Sequence, residues 1–210
     1  MSRIVWPKLR RDLVAILRGL KPEEAPAIAE VLLEAGFEAI EVPLNSPDPF
    51  HSIEAARRLA PDHVLIGAGT VLTEDDLERL SDVGGNLMVS PNVEPAVIHR
   101  AAEFGMATMP GVFTATEALT AVRAGASALK FFPASALGPG GIKAIMAVLP
   151  DYVPVGAVGG VSEKNFEDYA QIGVRTFGLG SSLYTPGASA AEVGEKARAA
   201  VAVYDEVFGI

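Results

Sequence analysis

The sequence predicts an α/β fold, a single (β/α)8 TIM barrel over residues 1–210, and three observations lead to it. Apolar, helix-like stretches end in a glycine just ahead of a short apolar run at Gly36, Gly84, Gly105, Gly125 and Gly173. A glycine suits the left-handed position that closes a helix before a strand begins. Eight candidate strands, near Leu13, Glu38, Val64, Asn86, Met106, Ser127, Val153 and Arg175, recur every 20 to 26 residues. That spacing accommodates a strand, a crossover helix and two tight loops. Runs such as Val64-Leu65-Ile66-Gly67-Ala68-Gly69 lack the polar alternation of a one-sided sheet, so the strands are expected to be parallel and covered on both faces. An open doubly wound sheet is the runner-up, but no Gly-x-Gly-x-x-Gly opens the first helix.

The element boundaries have local chemistry behind them. Leu13-Val14-Ala15-Ile16-Leu17 forms the first strand, and Pro22 with Glu23 and Glu24 marks the first turn of the helix that follows. Thr73 ahead of Glu74-Asp75-Asp76 starts a later helix, and Thr114-Ala115-Thr116-Glu117 spells a capping box. Ser162 is expected to cap the helix after the seventh strand. Trp6, in the basic opening stretch Met1 to Arg11, is expected to cover one end of the barrel.

Composition narrows the function. Half of the residues are hydrophobic and a fifth charged, which excludes disorder and supports one substantial core. The net charge of −9 argues against a nucleic-acid surface and for a small-molecule partner. With no cysteine, disulfides, thiolate nucleophiles and zinc–thiolate sites are excluded together. The apolar run Leu13 to Leu17 is too short for a signal-peptide core or a membrane span, so a cytoplasmic location and no membrane partner are expected. His51, His63 and His99 lack metal-ligand spacing, and no metal or cofactor is expected. His63 and His99 are read as surface residues, whereas His51, near the second loop, is left open.

Barrel active sites lie at the C-terminal strand ends, and two ionisable residues there sit inside apolar runs. Lys130, in Ala126-Ser127-Ala128-Leu129-Lys130-Phe131, alternates with Ala126 and Ala128, opposite Leu129 and Phe131. Glu41 alternates with Ala39 and Pro43, opposite Ile40, Val42 and Leu44. Both are expected to point into the barrel, as a structural ion pair or as a reactive pair. A desolvated lysine with a pKa near 7 would be about half neutral, roughly a thousandfold more than an ordinary one of pKa ~10.4. Such an amine suits carbonyl chemistry, with Glu41 moving protons. Gly159-Gly160 and Gly180-Ser181, after the last two strands, fall where barrels bind phosphate on backbone N–H groups and helix N-termini. Arg18, ending the first strand, is placed to fork onto a carboxylate or to stand as a surface cation.

These residues carry a family resemblance. Leu13-Val-Ala-Ile-Leu-Arg18-Gly19, Glu41-Val-Pro-Leu-Asn-Ser-Pro47, Ile66-Gly-Ala-Gly-Thr-Val71, Ala128-Leu-Lys-Phe-Phe-Pro133, Ala157-Val-Gly-Gly-Val161 and Gly178-Leu-Gly-Ser181 resemble the class I aldolases of 2-keto-3-deoxy-6-phospho sugar acids. The resemblance implies a metal-free barrel, usually a homotrimer, that cleaves the phosphorylated sugar acid to pyruvate and D-glyceraldehyde 3-phosphate. It implies Lys130 as Schiff-base lysine, Glu41 as general acid/base, Arg18 and Thr70 at the pyruvoyl end, and Gly159, Gly160, Gly180 and Ser181 at the phosphate. The gluconate branch carries threonine before the Gly-Gly pair and Leu-Arg-Thr after the second strand. Val158 and Leu44-Asn45-Ser46 stand here instead, which resembles the galactonate branch and implies a C4-epimer preference set at Val158. The gluconate epimer as main substrate, a catalytically silent sugar-phosphate-binding barrel and a sugar-phosphate isomerase are the alternatives.

Overall fold

The computed structural model describes residues 3–210; Met1 and Ser2, part of the basic opening stretch, lie outside them. Its strands are β1 (Leu13–Ile16), β2 (Ala39–Pro43), β3 (Leu65–Gly69), β4 (Leu87–Val89), β5 (Ala107–Met109 and Gly111–Val112, on either side of Pro110), β6 (Leu129–Phe131), β7 (Val155–Val158) and β8 (Thr176–Leu179). The helices are α1 (Ala25–Ala35), α2 (Pro49–Leu59), α3 (Glu74–Asp82), α4 (Pro95–Glu103), α5 (Ala115–Arg123), α6 (Ala134–Met146), α7 (Phe166–Ala170) and α8 (Ala190–Phe208).

All pairings are parallel, and the ring closes through β5. Its first half pairs with β4, as in Met88↔Thr108, and its second half with β6, as in Gly111↔Lys130. Pro110 brings no N–H to the ladder, yet its carbonyl accepts from Lys130 N at 2.9 Å. On the other side β1 joins both β2 and β8, with Val14 opposite Ala39 and Gly178. The expected (β/α)8 barrel is therefore the observed fold, and each strand begins within two residues of its expected position.

Strand alternation divides the apolar side chains into two shells. Val14, Ile16, Leu65, Leu87, Met109 and Val158 fill the barrel interior. Leu13, Ile40, Val42, Leu129, Phe131 and Phe177 face outward against the helices. Burying each such side chain contributes roughly 1.5–3 kcal/mol, so the pattern fixes which face of every strand turns inward. Trp6 packs with the inner shell and donates from Nε1 to Asp12 Oδ1 at 3.2 Å, covering the barrel end away from the strand C-termini.

The five helix-closing glycines all adopt positive φ, from 74° at Gly105 to 96° at Gly36. Thr73 and Thr114 form capping boxes with Asp76 and Glu117. Two local expectations are corrected. Pro22 precedes the first helix: residues 22–24 make a separate turn, and α1 starts at Ala25 with Pro26 in its first turn. Ser162 does not cap α7, whose N-cap is Asn165. Ser162 instead donates its N–H to Asn165 Oδ1 at 3.0 Å and accepts from Lys164 N at 3.3 Å, closing a turn ahead of the helix.

Candidate active site

The two ionisable residues singled out on their strands are both buried inside the barrel, Lys130 at 6% and Glu41 at 1% exposure. On Lys130's strand, Ala128 and Phe132 share the inner shell, while Leu129 and Phe131 pack outward. Ala126 departs from the alternation and packs outward, because it lies in the turn before β6 begins. Lys130 is flanked on both neighbouring strands by glycine, Gly111 and Gly156. Neither neighbour carries a side chain that could partner the amine, and the space beside them is taken by the Pro91 carbonyl at Gly111 and by Met109 Cε at Gly156.

The pair is not a structural salt bridge: among the described residues no ion pair includes Lys130 or Glu41. Glu41 Oε2 is buried without any hydrogen-bond partner. Its pKa is pushed up to about 7, chiefly by burial, against the opposing pull of the Lys130 and Arg18 charges. Lys130 is moved the other way. Burial lowers its pKa, Glu41 counters that, and Arg18 adds to it. Each group is thus driven toward its neutral form by loss of water, while the two remain close enough to feel one another. Above the amine, the Phe132 ring lies 5.0 Å from Lys130 Nζ.

Arg18 is exposed at the barrel mouth and donates from Nη1 to Asn45 Oδ1 at 2.6 Å. The next backbone N–H, of Gly19, donates to Ser46 Oγ at 2.9 Å, so the loops after β1 and β2 are tied together. Thr70 adopts φ 57°, a left-handed conformation that for a β-branched residue costs of order 1–3 kcal/mol. Ladder bonds on either side hold it there, from Leu44 N to Gly69 O at 2.8 Å and from Val71 N to Val89 O at 3.2 Å.

A cavity of about 590 Å³ opens at the strand C-termini, and Arg18, Lys130, Val158, Gly159, Gly160, Gly180 and Ser181 all line it. Glu41 and Thr70, expected at the same site, do not line it. The Glu41 carboxylate is drawn back against Gly69 on β3. On the far side of the cavity, Gly159 and Gly160 have φ of 90° and 77°. Among the described residues nothing accepts a hydrogen bond from the N–H groups of Gly160, Val161, Ser181 or Ser182. Asn165 Nδ2 and Ser182 Oγ instead hold the carbonyls of Gly160 and Val161, at 2.9 and 3.0 Å. These free donors belong to two loops that line one cavity, an arrangement suited to a cluster of anionic oxygens. They do not come from helix N-termini as expected, since α7 starts at Phe166 and α8 at Ala190.

His63 is exposed, whereas His99 is half-buried on α4. His51, left open by the sequence, is exposed and bonded to Asp48 at 2.6 Å. Among the described residues no group of three or more His, Asp or Glu side chains is arranged to hold a metal ion, and no helix is long and apolar enough to cross a membrane. Three features in and around the cavity are not foreseen from the sequence: Phe132, which lines it, the Asn45 clamp on Arg18, and the slot at Gly69 behind it. Phe132 was within reach, being two positions from Lys130 on the same strand face. The other two depend on loop and interior geometry.

A family model described as "Aldolase: KDPG and KHG aldolase" matches residues 8–198. The chain is 66% identical over 209 residues to a Rhizobium meliloti (strain 1021) protein named probable 2-dehydro-3-deoxy-6-phosphogalactonate aldolase, covering 100% of this chain and 99% of that one. It is 48% identical over 194 residues to the 2-dehydro-3-deoxy-6-phosphogalactonate aldolase of Escherichia coli (strain K12), covering 92% and 95%. A solved structure described as native KDPGal superposes with a TM-score of 0.94 at 46% identity, over 98% of this chain and 100% of the other.

Proposed function

The chain belongs to the KDPG and KHG aldolase family, and from that premise we propose that this lyase cleaves 2-dehydro-3-deoxy-6-phospho-D-galactonate to pyruvate and D-glyceraldehyde 3-phosphate through a Schiff base on Lys130. The observation that carries the reading is the buried, unpaired combination of Lys130 and Glu41 inside one barrel.

The Lys130 amine, whose pKa burial lowers, adds as the free base to the C2 ketone. The carbinolamine loses water to give an iminium. Glu41 then takes the proton of the C4 hydroxyl, directly or through water, while the C3–C4 bond electrons move into the iminium. The aldehyde leaves as D-glyceraldehyde 3-phosphate and an enamine remains. Protonation at C3 and hydrolysis release pyruvate and regenerate the amine. A carboxyl group with a pKa near 7 suits a role that both accepts and returns a proton. Arg18 holds the pyruvoyl end, a role that the family resemblance extends to Thr70, and the N–H groups around Gly159, Gly160, Gly180 and Ser181 hold the phosphate. Val158, buried on the inner face of β7, turns an apolar surface toward C4.

Residues 1–210 act in this reading as one domain. The family resemblance adds assembly as a homotrimer and a cytoplasmic location. Pyruvate release from the two C4 epimers, each assayed with purified protein, tests the substrate. A higher kcat/KM on the galactonate epimer supports the proposal, and a preference for the gluconate epimer overturns it.

A further inference from the structure

Two glycines on β3, Gly67 and Gly69, face the barrel interior, and they are glycine for different reasons. A Cβ on Gly67 would overlap the backbone carbonyl of Leu87, so Gly67 permits the close approach of β3 and β4. A Cβ on Gly69 would overlap Cδ and both oxygens of Glu41, and those are its three nearest contacts. Gly69 is not among the positive-φ glycines, so its backbone would accept alanine. Its absent side chain is filled by one carboxylate.

We propose that Gly69 is a positioning residue: by presenting no side chain it opens a slot on β3 that holds the Glu41 carboxylate buried and unbonded beside Lys130. The inference deepens the proposed function, because it assigns what sets the state of the proton-moving group. Below the slot the inner shell is closed by Ala39 and Leu65, both buried. A carboxylate displaced by a methyl group cannot retreat deeper into the inner shell, so the expected shift is toward the mouth and its water. The charged groups that face it are Lys130 from β6 and Arg18 after β1. Burial, which outweighs both, is the contribution that displacement removes.

The experiment is Gly69→Ala, read by the pH dependence of kcat and by borohydride trapping with pyruvate. In the variant the acid limb of kcat is expected to move down by at least about one pH unit, since an exposed carboxyl loses its proton at lower pH. Misplacement of the base should lower kcat roughly tenfold or more, with KM changed less than about threefold and trapping on Lys130 retained. Gly69→Ala/Glu41→Asp, which shortens the acid by one methylene, is expected to lose less than the product of the two single losses. An unmoved acid limb, or fully multiplicative losses, would overturn the inference. If Gly69→Ala fails to fold, recovery of folding in the double variant supports the slot, and failure of both overturns it in favour of a general packing role. Absence of pyruvate trapping in the parent protein would instead defeat the functional reading itself, so the two failures are distinguishable.

Discussion

Arg18 and Asn45 are joined across the barrel mouth, Nη1 donating to Oδ1 at 2.6 Å, so the loop after β2 sets the direction of the cation after β1. A guanidinium aimed in this way needs less ordering to meet a carboxylate. Asn45→Ala is expected to raise KM for the sugar acid roughly three- to tenfold with a smaller effect on kcat. Steady-state kinetics check it; a lower kcat at unchanged KM would place Asn45 in the chemical step.

Glu41→Gln keeps the size of the side chain and removes its proton chemistry. It is expected to lower kcat by about 10² to 10⁴ while pyruvate still traps on Lys130 at a reduced rate. A change confined to KM would make Glu41 a binding residue.

The same carboxyl makes stability depend on pH. Its folded pKa of about 7 lies above the ordinary value of 4.5, so between these values the folded chain holds a proton that the unfolded chain has released. Stability from this group is present below pH 4.5 and declines as pH rises through 7, by on the order of 3 kcal/mol. Urea titrations of the parent and Glu41→Gln proteins at pH 4.5 to 8 should show a decline in the parent that the variant lacks. Parallel pH profiles would mean that Glu41 is ionised throughout.

Gly160→Asp places a carboxylate among the free N–H groups, at a residue with φ 77°. A Cβ there would also lie 2.6 Å from Ser135 Cβ. Like-charge repulsion should weaken phosphorylated substrates by roughly tenfold or more, while condensation of pyruvate with unphosphorylated aldehydes is spared. Equal losses for both aldehyde classes would mean that the phosphate lies elsewhere or that the fold is damaged.

Val158→Thr is nearly isosteric and adds a hydroxyl at the cavity wall. The epimer whose C4 hydroxyl approaches this position should gain about 1 to 3 kcal/mol, shifting the kcat/KM ratio five- to 150-fold toward the gluconate compound. An unchanged ratio would move selectivity to the loop from Asn45 to Pro49.

Much of this architecture is legible in the sequence because periodicity and glycine placement are local. Gly36, Gly84, Gly105, Gly125 and Gly173 mark five of the seven helix-to-strand turns, and alternation alone puts Lys130 and Glu41 inside. The phosphate cradle is legible only in part. Gly159-Gly160 locates it, but the turn from Ser162 to Asn165 replaces the expected helix start, because Ser162 bonds within the loop and the N-cap position falls to Asn165, whose side chain holds the loop rather than the helix. Thr70's left-handed backbone and the Gly69 slot are not legible, since both depend on how β2, β3 and β4 pack together.

Everything proposed for the site turns on a covalent bond at Lys130. Incubation with pyruvate and borohydride, followed by digestion and mass spectrometry, measures it directly. The account predicts a reduced three-carbon adduct on Lys130 that is absent from Lys130→Met, together with loss of aldol cleavage in that variant. An adduct mapped to another residue, or full activity in Lys130→Met, would contradict it.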